Sequence, residues 1–188
     1  MAPSKPRSGL PMFTGITTYR DSLGRFSFRH PSDWIGDDLA DDREGVIIRP
    51  EPDDPDTYFA VWVAPLEAGV VADDLPELQR GFDDGLRALP DAVVESSQED
   101  LYGNIIKLDR LLTFTEAGTT RKRRVWGMYV DTWQVLISFQ GSVPAEYDYW
   151  LPMGNYCYAT FELPEALWFA TDPELQAKFG KPSGSEQQ

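Results

Sequence analysis

Thr18-Tyr19-Arg20-Asp21-Ser22-Leu23-Gly24-Arg25-Phe26-Ser27-Phe28-Arg29-His30-Pro31-Ser32-Asp33-Trp34 reads as a strand, a turn, a second strand and a stop. The first strand is predicted over Phe13 to Tyr19. Asp21-Ser22-Leu23-Gly24 is the turn, with Gly24 free to take positive φ. Arg25 to His30 alternates, so Phe26, Phe28 and His30 share one face. Pro31-Ser32-Asp33-Trp34 ends that strand. A hairpin with an aromatic face needs something to cover it, and the rest of the chain has to supply the cover.

Downstream, an acidic loop is expected from Gly36 to Glu44, then a short strand at Val46-Ile47-Ile48. A second acidic, proline-rich loop, Pro50 to Asp56, leads into Tyr58 to Val63, which is apolar on both faces. That pattern fits a central strand covered on both sides. Asp73 to Leu89 is predicted as a helix. Asp73 or Asp74 caps it, Pro76 sits in its first turn, and Leu75, Leu78, Phe82, Leu86 and Leu89 form its apolar stripe. Gly81 and Gly85 lie four apart on it and each costs about 1 kcal/mol relative to alanine. Close approach to a packed neighbour is the expected offset.

Four strands follow: Val93 to Asp100, Ile105 to Glu116, Arg123 to Val130 and Thr132 to Gln140, with a hairpin turn at Ala117-Gly118-Thr119-Thr120. Trp133, Val135, Ile137 and Phe139 share one face of the last. A second helical stretch, Pro144 to Phe161, is expected to break or restart near Pro152. The order predicts an α+β fold, an antiparallel β-sheet meander with helices on both faces in an α/β/α sandwich. Residues 1–11 read as a disordered lead and 12–163 as the domain. Residues 164–180 read as an amphipathic extension and 181–188 as a disordered tail.

A chain of 188 residues fits one domain. It carries 31 acidic against 17 basic residues, a net charge of −14. That balance argues against nucleic-acid binding. The basic run Arg121-Lys122-Arg123-Arg124 reads as a hairpin edge that discourages strand-to-strand aggregation. One cysteine, Cys157, excludes an intramolecular disulfide. There is no secretory apolar region and no run of membrane-span length, so a cytoplasmic location without membrane insertion is expected.

The stretch Thr18 to Trp34 resembles the opening of PsbP-like domains, where a glycine turn precedes an aromatic strand ending in Pro-x-x-Trp. The later helix, strands and closing helix match the same order, with Tyr158-Ala159-Thr160-Phe161 where the family often has a Ser-Phe ending. That family spans the extrinsic PsbP subunit of photosystem II, the yeast Ran-binding Mog protein, DcrB-type lipoproteins and effector-associated chaperones of type VI secretion. The resemblance implies protein binding without a shared catalytic site.

The residues themselves offer little chemistry. His30 is the one histidine, and nothing local pairs it with Cys157 as a nucleophilic dyad. Asp37, Asp38, Asp41 and Asp42, and also Asp53 and Asp54, crowd two loops without calcium-loop spacing. Solvated acidic loops are the preferred reading, with weak calcium binding the alternative and a basic protein segment the partner such loops could dock; no metal or other cofactor is expected. Tyr147, Tyr149, Trp150 and Tyr156 are too dense for one helix face to bury, so some are expected at an interface. Trp168 and Phe179 are the anchors expected in the extension. The leading function is therefore a non-enzymatic protein-binding module: an adaptor, assembly factor or chaperone with a protein partner. A homo-oligomer stays open. The alternative is a small-ligand or lipid carrier with an apolar pocket near Tyr156 and Trp126. A divergent enzyme comes third.

Overall fold

The computed structural model describes residues 9–39, 43–169, 174 and 177. The strands are β1 (Ile16–Arg20), β2 (Ser27–Pro31), β3 (Ile35–Asp38), β4 (Glu44–Arg49), β5 (Tyr58–Pro65), β6 (Val93–Tyr102), β7 (Ile105–Glu116), β8 (Thr119–Val130) and β9 (Trp133–Gly141). The helices are α1 (Leu75–Arg87), α2 (Pro144–Ala159) and α3 (Glu165–Phe169). Strands β3 to β9 make one sheet in the order β3-β4-β5-β9-β8-β7-β6, antiparallel throughout. The fold is thus two meanders side by side. Helix α1 carries the chain from β5 to the far edge, and β9 returns to pair with β5. The α+β sandwich read from the sequence is the one observed.

The opening hairpin, β1 with β2, stands apart from this sheet. Phe26 and Phe28 drive it into the core, each almost fully buried. Its second strand is tied to the end of the domain, because Ser27 and Glu162 exchange backbone hydrogen bonds of 3.0 and 2.8 Å. Gly24 takes φ 71° in the turn, as its lack of a Cβ allows. Asp21 accepts from the Arg25 backbone and guanidinium, which closes the turn from the side.

Side chains alternate between two cores, one on each face of the sheet. Facing α2, Phe59 and Val61 of β5, Trp126 of β8 and Val135, Ile137 and Phe139 of β9 pack with Tyr147, Trp150 and Cys157 of the helix. Facing α1, Ile106, Leu108, Leu112 and Phe114 of β7 and Val125 and Tyr129 of β8 pack with Phe82 and Leu86.

Several local expectations are corrected. Residues 36–38 of the supposed acidic loop belong to an edge strand, β3, registered Ile35 to Arg49 through Asp38 to Val46. Helix α2 runs unbroken through Pro152. The ring is exposed, so the carbonyl it leaves unbonded faces solvent and the helix tolerates it. The basic run 121–124 lies on β8, which is flanked by β7 and β9 and is no edge. Asp74 does not cap α1; its carboxylate turns back to accept from the Val71 N–H at 2.8 Å.

Candidate docking groove

Helix α1 is held at two levels. Phe82 drops into a notch over Gly127 of β8, where an added Cβ would lie 2.8 Å from the ring. Beside it, Arg110 of β7 is almost wholly buried and reaches up to the helix. Its Nε donates to Asp83 at 2.8 Å, and Nη2 lies 2.6 Å from Glu99 of β6. A buried guanidinium with two carboxylate partners fixes the helix laterally. Burial works against that charge, but the two carboxylates outweigh it and hold Arg110 firmly protonated.

So anchored, α1 covers β7 and β8 and leaves the neighbouring strands open. A groove of about 260 Å³ runs between the helix and the sheet. Gly81 and Gly85 form its helix wall, with Trp62 of β5, Val125 and Tyr129 of β8 and Leu136 of β9 below. The expected close neighbour for Gly81 and Gly85 is absent. A Cβ built on either meets nothing within 4 Å. The two glycines bare the helix backbone toward open space.

The polar groups of the groove are already committed. Gln134 donates to the Tyr129 hydroxyl at 3.0 Å. Burial pushes the Tyr129 phenol up, and the Gln134 bond offsets part of that, so it stays neutral. Arg123 donates to Gln140 at 2.7 Å and lies over the Phe114 ring. Gln140 passes the contact on to the Asp56 carbonyl at 3.0 Å. Such a floor offers shape and apolar surface; it presents no activated nucleophile.

The residues expected to bind are spread over several places. Asp37 is on β3 and pairs with Arg49. Asp38 closes the same strand. Asp41 and Asp42 lie outside the described residues. Asp53 is exposed, while Asp54 accepts from Thr57 at 2.7 Å and from Ser142 at 2.8 Å. Tyr147 and Trp150 are core residues, Tyr147 tilted on Phe139 and Trp150 edge-on to Trp34. Tyr149 and Tyr156 are half-buried on α2. Trp168 lies in α3 with its side chain outside the described residues, as is Phe179 altogether. The basic run is likewise committed: Arg121 to Asp56, Lys122 to Asp148, and Arg124 to Asp109.

The pocket expected near Tyr156 and Trp126 is filled. Trp126 is buried and stacks on Tyr158 with ring centroids 4.0 Å apart. His30 is buried with Nδ1 2.8 Å from the Pro31 carbonyl, and burial lowers its pKa. Cys157 is fully buried, which pushes its thiol up and keeps it protonated. Among the described residues, no three His, Cys, Asp or Glu gather as a metal site, and no helix is long and apolar enough to cross a membrane.

Sequence reasoning missed the groove. The Gly81-x-x-x-Gly85 spacing points to a close neighbour, and only the placement of α1 over β7 and β8 shows that the space beside it is empty.

Comparison with solved structures agrees on the architecture. A cyanobacterial PsbP from Synechocystis superposes with a TM-score of 0.57 at 12% identity, covering 87% of this chain and 100% of that one. LpqN, involved in cell envelope biogenesis of Mycobacterium tuberculosis, gives 0.58 at 12%, covering 80% and 91%. A Pseudomonas aeruginosa protein of unknown function gives 0.53 at 12%, covering 81% and 99%. No protein-family model matches the sequence, and no curated protein matches it. The fold is PsbP-like, and identity this low speaks to the fold alone.

Proposed function

We propose that the chain is a non-enzymatic protein-binding module whose working surface is the α1 groove. One observation carries this reading. Two glycines stand on the exposed flank of a 13-residue helix beside half-buried Trp62 and Leu136, with nothing packed against them. Each weakens the helix by about 1 kcal/mol relative to alanine and gains no internal contact. A partner segment lying close to the helix backbone would use the space they leave. The fold supports the reading as an analogy, and a task as adaptor, assembly factor or chaperone fits it.

A small-ligand carrier is the weaker reading. The groove is open along one side, and its volume of about 260 Å³ is below that of typical ligand pockets.

The test is site-specific photocrosslinking in cells of the source organism. A photoreactive residue replaces Glu77, which is exposed one turn before Gly81 on the same ridge, or Asn155, exposed on α2. One reproducible protein adduct from position 77, absent from position 155, is the expected result. Equal adducts from both positions, or none from 77, would refute the assignment.

A further inference from the structure

The far edge of the sheet carries a second, independent signal. Among the described residues, strand β6 is outermost and its backbone ladder pairs with β7 alone. An edge strand presents a free row of backbone donors and acceptors, and folds often blunt it by shortness, charged side chains, proline or a bulge; β6 has acids and a bulge but keeps its length. The opposite edge, β3, is four residues long. Strand β6 runs for ten residues, Val93-Val94-Glu95-Ser96-Ser97-Gln98-Glu99-Asp100-Leu101-Tyr102, without lysine or proline. Its apolar residues stand at its two ends. Val93 and Val94 are 60% and 40% exposed, Leu101 and Tyr102 46% and 53%.

We infer that β6 pairs with β6 of a second copy of this chain, antiparallel, about a two-fold axis that passes by Gln98 perpendicular to the sheet. The register follows from the strand's own bulge. Val94 faces Leu112 and Ser96 faces Leu111, so Glu95 is the extra residue and shifts the alternation by one. Past the bulge, Ser96, Gln98, Asp100 and Tyr102 share a face with Val93, while Ser97, Glu99 and Leu101 share one with Val94. Directly opposed residues in an antiparallel pair must lie on the same face.

With Gln98 on the axis that condition holds at every step. Val93 meets Tyr102 of the second copy, Val94 meets Leu101, Ser96 meets Asp100, and Ser97 meets Glu99. Apolar residues meet apolar residues at both ends, and with Glu95 bulged out of the ladder no directly opposed pair sets carboxylate against carboxylate. The neighbouring registers fail. Moving the axis to Ser97 sets Val93 against Asp100 and Val94 against Glu99. Moving it to Glu99 sets that carboxylate against its own copy. The acids of the strand are also balanced from inside the fold. Glu99 lies 2.6 Å from Arg110, Asp100 2.6 Å from Lys107, and Glu95 3.7 Å from Lys122. The net charge of −14 is therefore not concentrated along this seam.

Sedimentation equilibrium of the full chain over a range of concentrations tests the pairing. The mass rises with concentration from 21.2 kDa toward twice that value. The variant V94K/L101K sets lysine against lysine at both ends of the seam and weakens association at least tenfold. The variant V94K/L101E sets lysine against glutamate in the same register and restores it. Thermal melts of both variants confirm that the fold is intact. A wild-type chain that stays at 21.2 kDa throughout, a V94K/L101K variant that still dimerises, or two double variants that behave identically would overturn the pairing.

Discussion

The two helices that cover the sheet use their glycines in opposite ways. On the α2 face, Gly154 sits directly over Phe139, and a Cβ there would lie 2.6 Å from the ring. The same closeness recurs at Gly141, where a Cβ would lie 2.2 Å from the Tyr147 backbone nitrogen. These glycines let α2 settle on the sheet, and the face is closed by aromatic rings and by the β1–β2 hairpin. On the α1 face, Gly81 and Gly85 touch nothing, and β5 and β9 lie partly bare beside them. One face is built for stability. The other leaves helix backbone and apolar surface available, which is what a docking surface requires.

Substitutions sharpen that contrast. Trp126→Ala, on the closed face, removes a buried ring stacked on Tyr158 and is expected to cost about 3–5 kcal/mol by denaturant melt. Trp62→Ala, on the open face, is expected to cost clearly less. Equal losses would mean that the two faces are equally packed. Gly154→Ala forces a methyl into Phe139 and should destabilise by about 1–3 kcal/mol despite alanine's better helix propensity. Gly81→Ala and Gly85→Ala should do the reverse, each stabilising by about 0.4–1 kcal/mol. A loss of stability at either would show that the groove wall is packed after all.

The smallest effect concerns His30, on the closed side. Burial lowers its pKa below the ordinary 6.5, partly offset by the Pro31 carbonyl, so the folded chain binds this proton less readily than the unfolded one. Its contribution to stability is complete above about pH 6.5 and falls as the pH drops through that value. His30→Asn should flatten that slope in melts between about pH 5 and 7. An unchanged slope would place the titration elsewhere.

Much of the fold was legible because its signals are local. Alternation in Arg25 to His30 and in Thr132 to Gln140, the helix stripe from Leu75 to Leu89, and the turn at Ala117-Gly118 each report a single element. The double-sided apolar pattern of Tyr58 to Val63 even placed β5 inside the sheet. The groove was not legible, because emptiness beside Gly81 and Gly85 depends on where α1 lands relative to β5 and β9. A sequence shows that a helix has two glycines four apart; it does not show whether anything stands opposite them. The arginines at 121, 123 and 124 mislead for the same reason. Their partners Asp56, Gln140 and Asp109 are distant in sequence and close only in the fold. Of the acidic residues read as a docking surface, Asp37 is paired with Arg49 and Asp54 is held by Thr57 and Ser142.

The most direct test combines stability and binding in one molecule. The double variant G81A/G85A is melted, and its affinity for the protein captured from position 77 is measured. The account predicts a Tm about 2–6 °C higher and binding at least tenfold weaker, because the methyl groups stabilise the helix and fill the groove. A higher Tm with unchanged affinity would contradict it.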